Sequence, residues 1–560
     1  MNLRSPFGDL FLSLRVPTAS QTERINGSWD AIVVGSGACG GVAALTLAEG
    51  GARVLLIDAG PDLTPQTALG SEPGNSLRRL AGVSSGSHRL QAQHPGYWKA
   101  NPRLYADERL YPYSHPPDRP FLWTRGLQVG GRSLTWGGIT LRLSNEDFAG
   151  IEAPDGLTAW PIRAADLEED YATLERMLRV HGSRDGLPQL PDGETQEPLP
   201  LTPAEQRFAA TLRDQLALQV IHSRGFGPHH PERDGPWPRS SSRGSTLPQA
   251  MATGRVQLLS GHLLEHLLLE SGSERAKGAV VVDQANGNRR TVVADLVVLC
   301  ASTIQTLAIL LRSREQGLKD PSDRLGTRLM DHVSTSQFFC VPESSTSPQP
   351  PLTGAGSFFL PFGRRLHGAD FHGGYGIWGG IGRFDPPTVL RRRQGTVTGF
   401  LIGHGEVMPQ ASNRVSLSGA VDRWDVAVPH IDCQWSANED AMVAHMRRQM
   451  GTCIKAAGGE ALPLKDLFRL PLIEPLLQGA VALSDAASPP GYYIHEVGGA
   501  AMGADPSLGV VDPFNRLWAA PNVLVVDGAC WPTSAWQSPT LTMMAITRRA
   551  CRRAFRNGGG

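Results

Sequence analysis

The chain is poor in the features that most quickly assign a protein to a class. Its 7 cysteines, Cys39, Cys300, Cys340, Cys433, Cys453, Cys530 and Cys551, are scattered over 560 residues, and none forms a Cys-x-x-Cys pair. Zinc, iron–sulfur and attached-haem sites are built from such pairs, so no metal centre is expected. An odd, sparse count in a chain of this length points to reduced thiols and a cytoplasmic fold. Charge of one sign is missing too: 53 Lys and Arg stand against 53 Asp and Glu. Without a net field, neither nucleic acid nor an anionic membrane is an expected partner. No apolar run reaches the roughly 20 residues of a spanning helix. Met1–Trp29 mixes Arg, Asp and Pro with one short apolar patch at Leu10–Leu14, which makes a poor secretory leader. Export bound to a signal-bearing partner is left open. There is no internal repeat and no low-complexity tract.

What is present is length and well-placed glycine. A chain of 560 residues exceeds one ordinary core, so two domains are expected. Asp30–Gly35 is apolar and β-branched like a buried strand, Ala38–Glu49 reads as a helix, and Arg53–Asp58 as a second buried strand ending in an acid. This is a βαβ opening. Segment 61–120, rich in Pro, Gly, Ser and His, reads as a long surface connection. Ala164–Leu178 is a charged amphipathic helix, and 183–205 a loop. Arg255–Leu269, Ala279–Asp283 and Thr291–Cys300 form a meander feeding a last buried strand, and Ser302–Arg312 starts a helix. Segment 340–395 fits an antiparallel sheet with long loops, Val415–Ile431 further strand, and Asn438–Ala456 a helix.

Gly35-x-Gly37-x-x-Gly40 is weak evidence alone. Here it follows a strand, opens a helix at Ala38, and is followed by Asp58-Ala59 at the end of the next strand. That is the context of a dinucleotide fingerprint. The glycines permit a tight turn and let backbone N–H groups meet a pyrophosphate at the helix N-terminus. Asp58 can accept from the adenosine ribose hydroxyls. Cys39 inside the turn reads as a small buried filler. A second glycine-dense stretch runs from Arg125 through Gly130, Gly131, Ser133 and Trp136 to Gly137 and Gly138. A nicotinamide enzyme with one βαβ module has no use for it. A flat flavin ring needs such close backbone approach along its length.

With these two stretches the chain resembles the glucose–methanol–choline (GMC) oxidoreductases over residues 28 to 555. Further anchors are Val298–Gln305, Gly405-Glu406-Val407-Met408-Pro409 with Asn413, His495–Gly503, Asp527-Gly528 and Ser538–Thr542. Phe121–Gly126, Gly131–Gly138, Trp160-Pro161-Ile162, and Gly186-Leu187-Pro188 with Pro191-Asp192-Gly193 are similar to the branch holding bacterial glucoside 3-dehydrogenases and pyranose oxidases. The resemblance implies an α/β fold. A discontinuous Rossmann-like FAD-binding domain (28–150, 240–335 and 490–556) would carry a substrate-binding domain of antiparallel sheet and helices (151–239 and 336–489). It implies FAD, with Asp527, Gly528 and Thr540 joining the glycine stretches as cofactor contacts and Leu264 meeting adenine. It implies oxidation of a sugar or glycoside alcohol to a carbonyl. The electron acceptor would be O2, a quinone or a cytochrome, and a small companion subunit is allowed.

His495 falls at the family's catalytic histidine. An alcohol gives up hydride only as its hydroxyl proton leaves, and imidazole is suited to take that proton near neutrality. Two positions depart from the family pattern. Thr135 stands where some members attach the flavin through histidine, so the FAD is expected to be non-covalent. Ser538 stands where many members carry Asn or a second His beside the catalytic histidine. Ser538-Pro539 also reads as a helix cap and first helical residue, so two roles stay open for it. Glu496 is expected to point away, His332 to be structural, and most tryptophans to be core. Alternatives are the same chemistry on a non-sugar alcohol, or a lyase or redox-inactive paralogue of the same fold.

Overall fold

The computed structural model describes residues 23–25, 27–70, 74–153, 156–270, 272, 274–342, 350–364, 366, 369–383, 395–462 and 487–556. Most of the Met1–Trp29 leader reading lies outside the described residues, as do 343–349 and 384–394 of the expected antiparallel stretch.

Strand Trp29–Val34 lies parallel to Val54–Ile57 on one side and to Arg289–Leu299 on the other. Val256–Leu259 and Ala520–Val525 extend the parallel set at its two ends, within a 9-stranded sheet. A parallel sheet is covered on both faces, which is why the paired centres of these strands, Ala31–Val34, Val54–Ile57, Leu296–Leu299 and Val523–Val525, are apolar. Alternate side chains feed two cores. Ile32, Val34, Leu55, Ile57 and Leu299 point to one, under helix Thr303–Glu315. Ala31, Val33, Val54, Leu56 and Val298 point to the other, under helices Ala38–Glu49, Thr246–Ala252 and Thr540–Arg556. Strand Arg289–Leu299 serves two pairings. Its second half joins the parallel set, and its first half pairs antiparallel with Ala276–Asp283, which pairs in turn with His262–Leu269. This is the expected meander, except that Val256–Leu259, expected as part of its first strand, is a separate strand of the parallel set.

The second sheet has 6 strands and is antiparallel, in the order Glu460–Leu462, Val333–Pro342, Thr396–Gly405, Tyr375–Ile381, Phe358–Gly363 and Ile221–His222. Helix Ala437–Ala456 lays Met442, Met446 and Met450 against it. Gly405 makes room for them, since a Cβ there would stand 2.3 Å from the Met442 sulfur. The two-residue period of the strand puts Phe400, Ile402 and His404 on the opposite face. Hairpin Arg414–Val421 and Ala427–Asp432 packs on helix Thr303–Glu315, where Arg312 Nη1 donates to the Ala427 carbonyl at 3.2 Å.

Two local expectations need correction. Segment 61–120 is not a surface connection. It holds helices Pro65–Leu69 and Asn75–Ser84 and a core of its own built on Tyr97, Leu104 and Tyr105. Its aromatic and leucine positions are interleaved with Pro and Gly, which hid their periodicity. The loop at 183–205 stops early, because Thr202 caps helix Pro203–Leu216. Its hydroxyl accepts from Glu205 N–H at 3.1 Å, and Glu205 returns the bond to Thr202 N–H at 2.8 Å. Thr202-Pro203-Ala204-Glu205 is a capping box that was legible in the sequence. Glu205 then binds Arg383 at 2.7 Å, with both side chains excluded from solvent, tying this helix to the second sheet.

Candidate active site

A cavity of about 830 Å³ is lined from both sheets, a size within the range of roughly 300–1,000 Å³ common for ligand pockets. One part of its wall is the strand–turn–helix opening. Gly35 has φ +92, and a Cβ on it would stand 2.4 Å from the Cys300 carbonyl oxygen. Gly37 caps helix Ala38–Glu49 without any side-chain bond. The first N–H groups of that helix have no intrahelical acceptor, and Gly37, Ala38 and Cys39 line the cavity. This is a ready anion site. Gly40 does not face the cavity; it lets the helix close on the turn, since a Cβ there would stand 1.7 Å from the Gly35 oxygen. Burial pushes the Cys39 thiol up to about 12, so it is inert filler as expected.

Asp58 and Ala59 line the same wall. Asp58 Oδ2 accepts from Ser36 N–H at 2.9 Å and from Ser36 Oγ at 2.5 Å, and Oδ1 accepts from Gly60 N–H at 2.8 Å. A carboxylate offers about four acceptor directions, so one is left for a ribose hydroxyl. Leu264 lines the cavity beside a strand irregularity between Leu264 and His266.

The second glycine stretch is bolted to the first. Gly130 N–H donates to Ser36 Oγ at 2.9 Å, so Gly130 serves the fold and does not line the cavity. Ser133 lines it, but its hydroxyl is engaged: Oγ donates to the Gly130 carbonyl at 2.6 Å and accepts from Ser242 N–H at 3.0 Å. Gly131, Thr135, Trp136, Gly137 and Gly138 also line it, and a Cβ on Gly137 would meet nothing within 4 Å. Arg125 stacks over Trp123 at 4.5 Å and Tyr113 at 5.2 Å. Its Nε and Nη2 are buried without partners, and burial lowers its pKa. A buried guanidinium with unspent donors is suited to a bound anion.

The opposite wall carries His495. The residue before it, Ile494, has φ +63, an outlier for a β-branched side chain. His495 N–H donates to Asp331 Oδ1 at 2.8 Å, which also accepts from His332 N–H at 2.7 Å. His495 Nδ1 lies 2.9 Å from His332 Nδ1. Tyr493 stands edge-on to His495 and stacks on His404, to whose Nδ1 its hydroxyl bonds at 2.9 Å. The exposed part of His495 faces the cavity and not bulk solvent. Burial, then His332, His404 and Arg132, hold its pKa well below the ordinary imidazole value. Glu496 turns away, as expected, and pairs with Arg132 at 2.6 Å.

Asp527, Gly528, Ser538 and Thr540 complete the lining. Asp527 accepts from Thr306 Oγ1 at 2.6 Å and Ala529 N–H at 3.0 Å, and burial pushes it up to about 6. The last helix starts at Thr540, and Met543 N–H donates to the Pro539 carbonyl at 2.9 Å. Pro539 therefore holds the cap position and Ser538 lies one residue outside it. The Ser538 hydroxyl bonds to none of the described residues and faces the cavity. Trp123, Trp136 and Trp378 line the cavity, while Trp424 and Trp536 are core. The sequence reading missed Asp331, His404 and Tyr493 as neighbours of His495 and gave His332 no link to it. His332 lies 163 positions from His495, and no spacing pattern spans that distance.

Residues 29–334 match the N-terminal profile of the GMC oxidoreductases, and residues 409–547 match the C-terminal one. The chain belongs to the GMC oxidoreductases. GMC oxidoreductases bind FAD, and the uncapped helix end, the open glycine stretch and the unspent Arg125 donors fit such a group. Among relatives, paromamine 6'-oxidase of Streptomyces fradiae is 26% identical over 558 residues, covering 94% of this chain and 91% of that protein. C-glycoside 3-oxidase of Microbacterium trichothecenolyticum is 25% identical over 555 residues, covering 93% and 96%. The solved formate oxidase of Aspergillus oryzae superposes with a TM-score of 0.60 at 15% identity, covering 96% of this chain and 99% of that one, and it shares the fold. No helix among the described residues is long and apolar enough to cross a membrane.

Proposed function

We propose that this GMC oxidoreductase oxidises an alcohol group of a sugar or glycoside to a carbonyl, with His495 as the base. The observation that carries this reading is one cavity joining an uncapped helix N-terminus at Gly37 to a half-buried, neutral histidine at 495. FAD, when bound, supplies the two-electron acceptor for the hydride that leaves the carbinol carbon. The chain's part is to hold and orient it. Gly35, Gly37, Ala38 and Arg125 would meet the pyrophosphate, Asp58 with Ala59 and Leu264 the adenosine, and Gly131 to Gly138 the ring. Asp527, Gly528 and Thr540 would close the other side. Gly40, Gly130 and Ser133 would set the backbone behind these contacts.

His495 takes the hydroxyl proton as the C–H bond gives up its electron pair. The products are a carbonyl, a protonated imidazole and a cofactor that would hold the hydride, that is, the carbinol hydrogen with both electrons of its bond. Ser538, with its hydroxyl free toward the cavity, would orient the substrate oxygen. Phe400, Ile402 and Trp378 on the second sheet offer an apolar and aromatic wall for the rest of the substrate. The sugar class is supported by the relatives, which act on paromamine and on C-glycosides. Residues 28–150, 240–335 and 490–556 would form the FAD-binding domain, and 151–239 with 336–489 the substrate domain. The FAD is non-covalent in this reading, because Thr135 offers no nucleophile for attachment. All 7 thiols are free and buried, which favours a reducing, cytoplasmic setting.

The test is anaerobic bleaching of the holoenzyme's flavin by a panel of glycosides, free sugars and simple alcohols. Reduction by a glycoside or sugar is expected. Reduction by simple alcohols alone would move the reading to a non-sugar substrate, and no reduction by any of them would remove alcohol oxidation. Reoxidation in air against a quinone or a cytochrome then assigns the acceptor, and co-purification tests for a companion subunit.

A further inference from the structure

A buried histidine, His332, and a half-buried one, His495, share one short contact. His495 Nδ1 and His332 Nδ1 are 2.9 Å apart, and His332 Nε2 lies 3.0 Å from the Ala535 carbonyl oxygen. A carbonyl only accepts, so His332 Nε2 carries a hydrogen. Burial keeps His332 neutral, lowering its pKa to about 4, so its Nδ1 holds a lone pair. The one hydrogen between the two Nδ1 atoms then belongs to His495. A neutral His495 protonated at Nδ1 has its lone pair on Nε2.

We propose that His332 is a positioning residue that fixes the tautomer of His495, leaving Nε2 as the nitrogen that receives the alcohol proton. This rests on the assignment of His495 as the base. When Nε2 takes the proton, the imidazolium keeps its Nδ1–H bond to His332, so no second proton moves. The backbone is arranged around the pair. Ile494, at φ +63, sets the approach of His495, and Ala535, at φ +52, aims its carbonyl at His332. Non-glycine residues hold such angles only where their surroundings impose them. Asp331 Oδ1 accepts from the backbone N–H groups of both histidines and ties the two segments together. The other ionisable groups around the pair are Tyr493, which lines the cavity, the fully buried His404, and Glu496 with Arg132. Cys433 lies near Asp331. None of them hydrogen-bonds either nitrogen of His332.

The experiment is nitrogen-15 NMR of histidine-labelled holoenzyme, with His332→Gln and His332→Leu. In the wild type, His495 is expected to be protonated at Nδ1 and His332 at Nε2. The Gln side chain keeps an acceptor for His495 and a donor for Ala535, and should preserve the His495 signals. Leu offers neither. It should mix the His495 tautomers and slow anaerobic flavin reduction at saturating alcohol by about 10–100-fold at unchanged FAD content, with Gln restoring most of the rate. A His495 protonated at Nε2 in the wild type overturns the proposal, as does a His332→Leu enzyme reducing its flavin at the wild-type rate. Should His332→Leu not fold, the wild-type and His332→Gln spectra decide. His495→Ala is the separate control: reduction at the wild-type rate there removes the base and leaves the tautomer assignment to the spectra alone.

Discussion

Arg132 donates through Nη1 to Glu496 at 2.6 Å and through Nη2 to Ser302 Oγ at 2.6 Å. One guanidinium thus clasps the second glycine stretch, the turn before helix Thr303–Glu315, and the residue after His495. The glycine wall and the His495 wall of the cavity are tied together by an ion pair spanning 364 positions.

Removing the cation should therefore be felt in the empty fold. Arg132→Met leaves Glu496, whose side chain is 1% exposed, as a buried carboxylate without a partner. The expected loss is about 3 kcal/mol. Adding Glu496→Gln should recover most of it, because the stranded charge is gone. Thermal unfolding of the apoproteins measures both, and equal melting temperatures for Arg132→Met and wild type would sink the claim.

The glycines of the fingerprint divide into two kinds. A Cβ at Gly40 would stand 1.7 Å from the Gly35 oxygen, whereas at Gly37 its nearest neighbour is the Gly130 oxygen at 3.9 Å. Gly40→Ala should destabilise the apoprotein by about 1–3 kcal/mol. Gly37→Ala should leave apoprotein stability within about 0.5 kcal/mol and weaken FAD retention. Flavin content after gel filtration, beside apoprotein melting, separates the two effects.

Ser538 lies outside the cap position and spends no hydrogen bond on the described residues. Ser538→Ala should keep stability within about 0.5 kcal/mol, where loss of a true cap would cost about 1 kcal/mol. The KM for the alcohol is expected to rise several-fold. Unchanged kinetics with a lower melting temperature would restore the capping role.

How much of this was legible depends on how local each feature is. The βαβ opening could be read because Asp30–Gly35, Ala38–Glu49 and Asp58 carry their periodicity and acid within 30 positions. Helix Ala437–Ala456 and the meander were equally local. Segment 61–120 was misread because its small core, around Tyr97 and Tyr105, packs within a Pro- and Gly-rich stretch. The cap at Ser538 was misplaced by one residue, since Pro539 can follow a cap or occupy it. His332 was seen only as a structural residue. Its role depends on contacts to Ala535 and His495 across 203 and 163 positions, and topology alone creates those.

The histidine cluster also sets a dependence on pH. His404 is fully buried, with Nε2 unpartnered, and burial followed by His332 holds its pKa well below 6.5. In the unfolded chain the value returns to about 6.5. Above that pH both states are neutral and the contribution is fully present. Below it the unfolded chain gains a proton that the fold refuses, so wild type loses up to about 1.4 kcal/mol per pH unit from this residue. His404→Phe removes the effect. The stability gap between the two should move toward the variant as pH falls below about 6.5, whatever its value at neutrality. Denaturant unfolding at several pH values reads it, and a pH-independent gap would contradict it.

In the proposed reaction His495 takes the alcohol proton at a wall facing the cofactor. Its most direct test is single-turnover reduction of the bound flavin in His495→Ala, without oxygen, by the best glycoside or sugar substrate. A yellow holoenzyme of normal FAD content is expected, with its flavin reduced about 10²–10⁴-fold more slowly than wild type. Reduction at the wild-type rate, with FAD retained, would contradict it.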